Sequence, residues 1–179
     1  MSEDKFKNFY RVKSARLPNW DYGSNAIYFV TICTNDRKDF FGNIVETQNF
    51  ASLQKTIIGE LAEKFWFEIP DHFPFITLDQ FILMPNHIHG IICINSSEFH
   101  TYQPNRFAPQ SKNLPSVIRG FKAAVKKFAT INNIEFSWQP RYYDRVVRNE
   151  NELVRIRRYI IDNPSNWQKD KENAENLFM

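Results

Sequence analysis

The chain has 179 residues, 42% of them apolar and 24% charged, which suits one globular domain with a substantial core. No apolar run approaches the roughly 20 residues that span a bilayer, and Met1-Ser2-Glu3-Asp4-Lys5 has no apolar segment behind it, so neither a membrane-spanning nor a secreted protein is expected. The net charge of +3 hides an asymmetry: residues 103–160 hold twelve Lys/Arg against four acids while the remainder is acidic, which points one side of the molecule at a polyanion.

Residues 1–24 are polar and aromatic and read as an arm laid over the domain. Ala26 to Thr34 is a nearly continuous β-branched and aromatic run, hence a buried strand. Asn35 to Lys38 turns the chain, and Gly42-Asn43 marks a further turn. Leu53, Ile57, Leu61 and Phe65 have the spacing of an amphipathic helix, which the pattern extends over 47–67 and Pro70 ends. A strand over 73–83 and another over 87–94 form a hairpin through Met84-Pro85-Asn86, since proline lacks a ladder donor and asparagine favours turns. Residues 95–113 read as a long loop. Leu114 to Ile131 is a second helix, with Pro115 in its first turn and Val117, Phe121, Val125 and Phe128 as its buried stripe. A strand over 136–147 follows. Asn149 is an N-cap with Glu152 three residues on, opening a last helix that should stop at Asn163, before Pro164. The segment 165–179 is a charged tail. Cys33 and Cys93 each fall in a strand and read as reduced core thiols of a cytoplasmic protein.

The order β-α-β-β-α-β-α matches, in its first six elements, the split βαβ pattern of the ferredoxin-like fold. The expected class is therefore α+β: an antiparallel sheet with its two main helices on one face, plus a C-terminal helix.

His87 and His89 carry the chemistry. Two residues apart on a strand, they project to one face, with Ile88 to the other. Two imidazoles side by side are half of a divalent-metal site, although a lone His-x-His is more often structural. Tyr159 and Asn163 lie four apart, so they share a helix face. Asn163 offers an amide oxygen as a third ligand for a hard cation. Tyr159, one turn earlier, would have its phenol pKa lowered by that cation, which makes it a nucleophile.

Beyond this chemistry the chain resembles a family. Met84-Pro85-Asn86-His87-Ile88-His89-Gly90, Trp138-Gln139-Pro140-Arg141-Tyr142-Tyr143-Asp144, Arg148-Asn149-Glu150-Asn151-Glu152 and Tyr159-Ile160-Ile161-Asp162-Asn163-Pro164 together resemble the REP-associated tyrosine transposases, within the insertion-sequence-200-type single-tyrosine HUH transposases. The resemblance covers about residues 10–168. It implies that His87, His89 and Asn163 hold Mg²⁺ or Mn²⁺ and that Tyr159 attacks single-stranded DNA, forming a 5′-phosphotyrosine and releasing a 3′-hydroxyl. Many relatives carry Gln where this chain has the shorter Asn163. The implied partner is single-stranded or hairpin DNA, handled by a monomer or a homodimer. Arg119, Lys122, Lys126, Arg141, Arg145 and Arg148 are the candidates for contact with it. Tyr142 and Tyr143 are candidate stacking surfaces, whereas Trp138 suits the core better.

Two other readings start from the same residues. The histidine-triad nucleotide hydrolases need a third histidine where this chain has Ile91. A single-strand or RNA-binding module on the same sheet would have no use for His87, His89 and Tyr159 together. A domesticated, catalytically weak descendant that still binds hairpins is the alternative that the residues leave open.

Overall fold

The computed structural model describes residues 5–6, 9–10, 17, 19–46, 51–97 and 111–172. Most of the expected arm over 1–24 and the middle of the expected 95–113 loop lie outside the described residues. In chain order the elements are β1 (Lys5–Phe6), β2 (Phe9–Tyr10), β3 (Ala26–Cys33), a single 3₁₀ turn (Asn35–Arg37), β4 (Gly42–Glu46), β5 (Ala51–Lys55), α1 (Ile57–Phe67), α2 (Ile69–His72), β6 (Ile76–Met84), β7 (His87–Ile94), α3 (Leu114–Ile131), β8 (Tyr143–Val147) and α4 (Glu150–Glu172). The central sheet has the order β6-β7-β3-β8, with every neighbouring pair antiparallel. Taken as four strands, that is second-third-first-fourth, the arrangement of a ferredoxin-like βαββαβ unit.

The alternation of side chains sorts this sheet into two faces. Tyr28, Val30 and Ile32 of β3 and Ile88 and Ile92 of β7 point to the side covered by α1 and α3, where they join Trp66, Val117, Phe121 and Val125 in the main core. Phe29 and Ile91 point to the other side, where Leu153, Ile156 and Ile160 of α4 cover them. Both faces are covered, which is why β3 reads as a nearly continuous apolar run and β7 as one broken mainly by its two histidines. Gly90 permits the tight fit on the first face, because a Cβ there would stand 2.2 Å from the Trp66 ring.

Five expectations need correction. The helix expected over 47–67 begins ten residues later, at Ile57, because Thr56 caps it by accepting from the Gly59 N–H at 3.1 Å. Ala51–Lys55, with Leu53, is instead a strand paired with Gly42–Glu46, which replaces the turn expected at Gly42-Asn43. Pro70 does not end that helix: α1 stops at Phe67, and Pro70 sits in the first turn of α2, where its missing N–H costs nothing. The strand expected over 136–147 is regular only from Tyr143, with Trp138 bridging Thr34 ahead of it.

The last correction matters most. α4 does not stop before Pro164 but runs through it to Glu172, taking in the first part of the expected tail. A proline in a helix interior removes one hydrogen bond. The continuation gains the burial of Trp167, which is 8% exposed and packs its ring 5.9 Å from that of His87. At the other end Asn149 caps α4, its Oδ1 accepting from the Glu152 N–H at 2.9 Å. Glu152 in turn accepts from the Arg148 N–H at 2.9 Å and from Arg145 Nε at 2.7 Å. Midway, Arg157 donates to both carboxylate oxygens of Asp79, Nη2 to Oδ2 at 2.6 Å, beside the irregularity between Leu78 and Phe81 of β6. That clasp ties α4 to the sheet edge two residues before Tyr159.

Candidate metal and tyrosine site

β7 places His87 and His89 on the α4 face, both fully buried, with ring centroids 4.5 Å apart. The register sets His89 opposite Thr31 and His87 opposite Cys33 on β3. Each histidine is held through Nδ1. His87 Nδ1 lies 2.9 Å from Asn86 Oδ1, and His89 Nδ1 lies 2.9 Å from Thr31 Oγ1. Phe29 stacks on the His89 ring at 5.3 Å. Both rings are thus fixed from behind, and their Nε2 atoms face α4.

α4 meets them with Tyr159 and Asn163 of the same chain. The Tyr159 hydroxyl is 3.3 Å from His89 Nε2, and its ring stands edge-on to Phe29. Tyr159 is half-buried, whereas Asn163 is 1% exposed. Neither amide atom of Asn163 and neither lone pair nor proton of His87 Nε2 completes a hydrogen bond of ordinary geometry, although all three atoms are buried. Buried polar groups are nearly always paired, so three orphans on facing side chains are a signal of an external partner.

The electrostatics suit a cation. Burial pushes the His87 pKa down to about 3, against a smaller opposing influence from the neighbouring Asn163 amide. Burial, then the charge that His87 would carry, holds His89 well below the ordinary histidine range. Both rings are therefore neutral near pH 7, with lone pairs available for coordination. Among the described residues no group of three His, Cys, Asp or Glu is placed to hold a metal ion. The donor set here is two imidazoles and one amide, which fits a divalent cation that accepts nitrogen and neutral oxygen.

The basic candidates do not gather at this site. Lys122 Nζ donates to the carbonyls of Gln139 and Arg141 at 2.8 and 2.9 Å, and Lys126 Nζ to that of Phe136 at 2.7 Å. These two lysines hold the irregular segment that precedes β8. Arg119, like them, belongs to α3 on the far side of the sheet. Arg141 is exposed, with a left-handed φ of 68°. Arg145 and Arg148 stand at the α4 side, with Arg145 engaged by Glu152. Trp138 packs in the main core between Phe41, Phe121 and Phe136, as its composition suggested.

Thr31, Asn86 and Trp167 stand at the site, a place that the sequence reading gave to none of them. Asn86 adjoins His87, and Trp167 continues the Tyr159–Asn163 spacing by four, so both had a local signal. Thr31 had none, because only the cross-strand register brings it to His89.

No family model matches the chain. A protein of Haemophilus influenzae, named only as an uncharacterized protein, is 34% identical over 168 residues, covering 89% of this chain and 91% of that one. Among solved structures, a REP-associated tyrosine transposase bound to a REP hairpin aligns with a TM-score of 0.57 at 17% identity, over 86% of this chain and 73% of that chain. That likeness establishes a shared fold. A transposase candidate from Deinococcus radiodurans R1 aligns with a TM-score of 0.42 at 13% identity, too distant to add to this.

Proposed function

The chain belongs to the family of the Haemophilus influenzae protein, and from its fold and its site we propose that it is a metal-dependent transposase that nicks and rejoins single-stranded DNA through Tyr159, in the manner of the REP-associated HUH enzymes. One observation carries the reading: the Tyr159 hydroxyl stands 3.3 Å from His89 Nε2, on a helix whose next turn aims an orphaned amide at an orphaned imidazole nitrogen. A structural core has no use for that combination.

In this reading His87, His89 and Asn163 would hold Mg²⁺ or Mn²⁺, and the ion would supply Lewis-acid polarisation of the scissile phosphate. Tyr159 supplies the nucleophile. Its oxygen bonds to phosphorus as the bond to the 3′-oxygen breaks, the phenolic proton leaves to solvent, the departing 3′-oxygen takes a proton from solvent, and the products are a 5′-phosphotyrosine and a free 3′-hydroxyl. The reverse attack by a 3′-hydroxyl rejoins the strand, so no external energy source is needed. Phe29 and the α4 packing orient Tyr159 for this attack. Arg148, Arg155 and Arg158 are exposed at the start and on the outside of α4 and are the arginines best placed to meet flanking phosphates. Hairpin DNA is the proposed partner, since the solved transposase of the same fold carries a REP hairpin.

The test is an adduct assay with a DNA hairpin bearing single-stranded flanks drawn from inverted repeats near the gene. Protein and DNA should form a covalent species in Mn²⁺ and none in chelator. Tyr159→Phe should bind the hairpin but form none. An adduct that survives Tyr159→Phe overturns the proposal, and binding without any adduct turns it toward a hairpin-binding protein.

A further inference from the structure

Asn86 enters the sequence reading as a turn residue and as part of the Met84–Gly90 motif, with no role of its own, yet its side chain is 6% exposed and fully engaged. Its Nδ2 donates to the Arg37 carbonyl and to Asp39 Oδ1, both at 3.1 Å. Those two acceptors fix which way the amide points, because a flipped amide would set its carbonyl oxygen against two other oxygens. The remaining Oδ1 faces His87 Nδ1 at 2.9 Å. A carbonyl oxygen can only accept, so Nδ1 must carry hydrogen. An imidazole with a single proton then has its lone pair on Nε2, a buried atom that completes no hydrogen bond of ordinary geometry.

We infer that Asn86 is a positioning residue, which locks His87 in the Nδ1–H tautomer and so turns a ready lone pair toward the cation site. The inference deepens the proposed function and rests on the metal role that it gives His87. Ligating histidines are commonly held in this way by a partner on the second ring nitrogen, and losing that partner costs ten- to a hundred-fold in metal affinity.

The anchor is rigid beyond Asn86 itself. The Thr34 N–H donates to the Asn86 carbonyl at 2.9 Å, and the Phe41 N–H donates to that of Pro85 at 2.9 Å. Thr34 Oγ1 lies against the same Asn86 carbonyl at 3.0 Å. Asp36 and Arg37 both take φ of 51°, so the loop that supplies the two amide acceptors holds a backbone shape that non-glycine residues rarely adopt. The 34–41 loop and the 85–86 turn thus form one unit, with the Asn86 amide as its contact to the metal ligand.

The experiment uses the metal-free, ¹⁵N-labelled full chain, whose four histidines are few enough to assign. Long-range ¹H–¹⁵N correlation is expected to show His87 protonated at Nδ1; protonation at Nε2 overturns the inference. Asn86→Ala is expected to give a mixture of tautomers at His87 and to weaken Mn²⁺ binding in calorimetry by ten- to a hundred-fold. A variant with the wild-type tautomer and wild-type affinity overturns the inference while leaving the proposed function standing. Absence of Mn²⁺ binding in the wild type overturns both. The wild-type tautomer needs no variant, so the inference can be refuted even if Asn86→Ala fails to fold.

Discussion

Over one face of the sheet, α1 and α3 bury an apolar layer around Trp66, Phe121 and Val125. Over the other, α4 buries Phe29, Ile91 and Ile160, until Thr31, His87, His89 and Asn163 take their place. The first layer is what a stable fold requires, apolar apart from isolated atoms such as the Trp66 Nε1, which is also buried without a partner. The second gives up apolar packing for polar groups that protein atoms only partly satisfy, and a buried unsatisfied group costs about 1–3 kcal/mol. In the proposed function, one sheet carries a face that holds the fold and a face that bears a cost for chemistry, the usual relation between stability and function.

The sharpest way to break this contrast is to truncate each side. Trp66→Ala should lower unfolding stability by about 3–5 kcal/mol, read from urea midpoints. Asn163→Leu should act in the opposite direction, raising stability by about 1–3 kcal/mol as the orphaned amide disappears, while Mn²⁺ binding is lost in calorimetry. A large stability loss on Asn163→Leu would mean that the amide is a structural element after all.

Lys122 separates folding from DNA contact on the α3 side. Burial pushes its pKa down to about 8 from an ordinary 10.5, so folding disfavours its charged form. The unfolded chain binds the extra proton between those values, so stability rises with pH across them. Wild type should gain about 1–3 kcal/mol on Lys122→Met between pH 8 and 10.5 in thermal melts. Hairpin affinity should keep its salt dependence in the variant; a shallower salt slope would return Lys122 to the DNA surface.

Glu152 gives the smallest effect, at the start of α4. The Arg148 N–H, ahead of the ion pair with Arg145, holds its carboxyl below the ordinary range. Its contribution is present in full above the ordinary glutamate pKa and fades as pH falls through the lower folded value. Glu152→Gln should cost about 0.3–1 kcal/mol at pH 7 and almost nothing at pH 3, by urea unfolding.

Much of this was legible in the residues. The bounds of β3, β7 and α3 follow from β-branched runs and from a 3–4 apolar spacing opened by a proline. Leu53 misled because it stands four residues before Ile57 and so mimics one more helical turn, although Thr56 caps the helix between them. The segment before β8 reads as a strand from its aromatic residues but is irregular, its carbonyls being taken by Lys122 and Lys126, which no local pattern reveals. Pro164 misled because its helix-breaking tendency is local, while the burial of Trp167 against His87 is not. The pairing of His87 and His89 with Tyr159 and Asn163 was visible as two spacings, of two and of four. Their meeting on one face depends on the packing of α4, which only the fold supplies.

The most direct measurement is the identity of the residue that the DNA modifies. Wild-type protein is to be trapped on a hairpin with single-stranded flanks in Mn²⁺, digested, and its nucleotide-bearing peptide sequenced by mass spectrometry. The account expects a single phosphotyrosine at Tyr159, linked to the 5′ end of the released strand. A modification on Tyr142 or Tyr143, or a 3′ linkage, would contradict it.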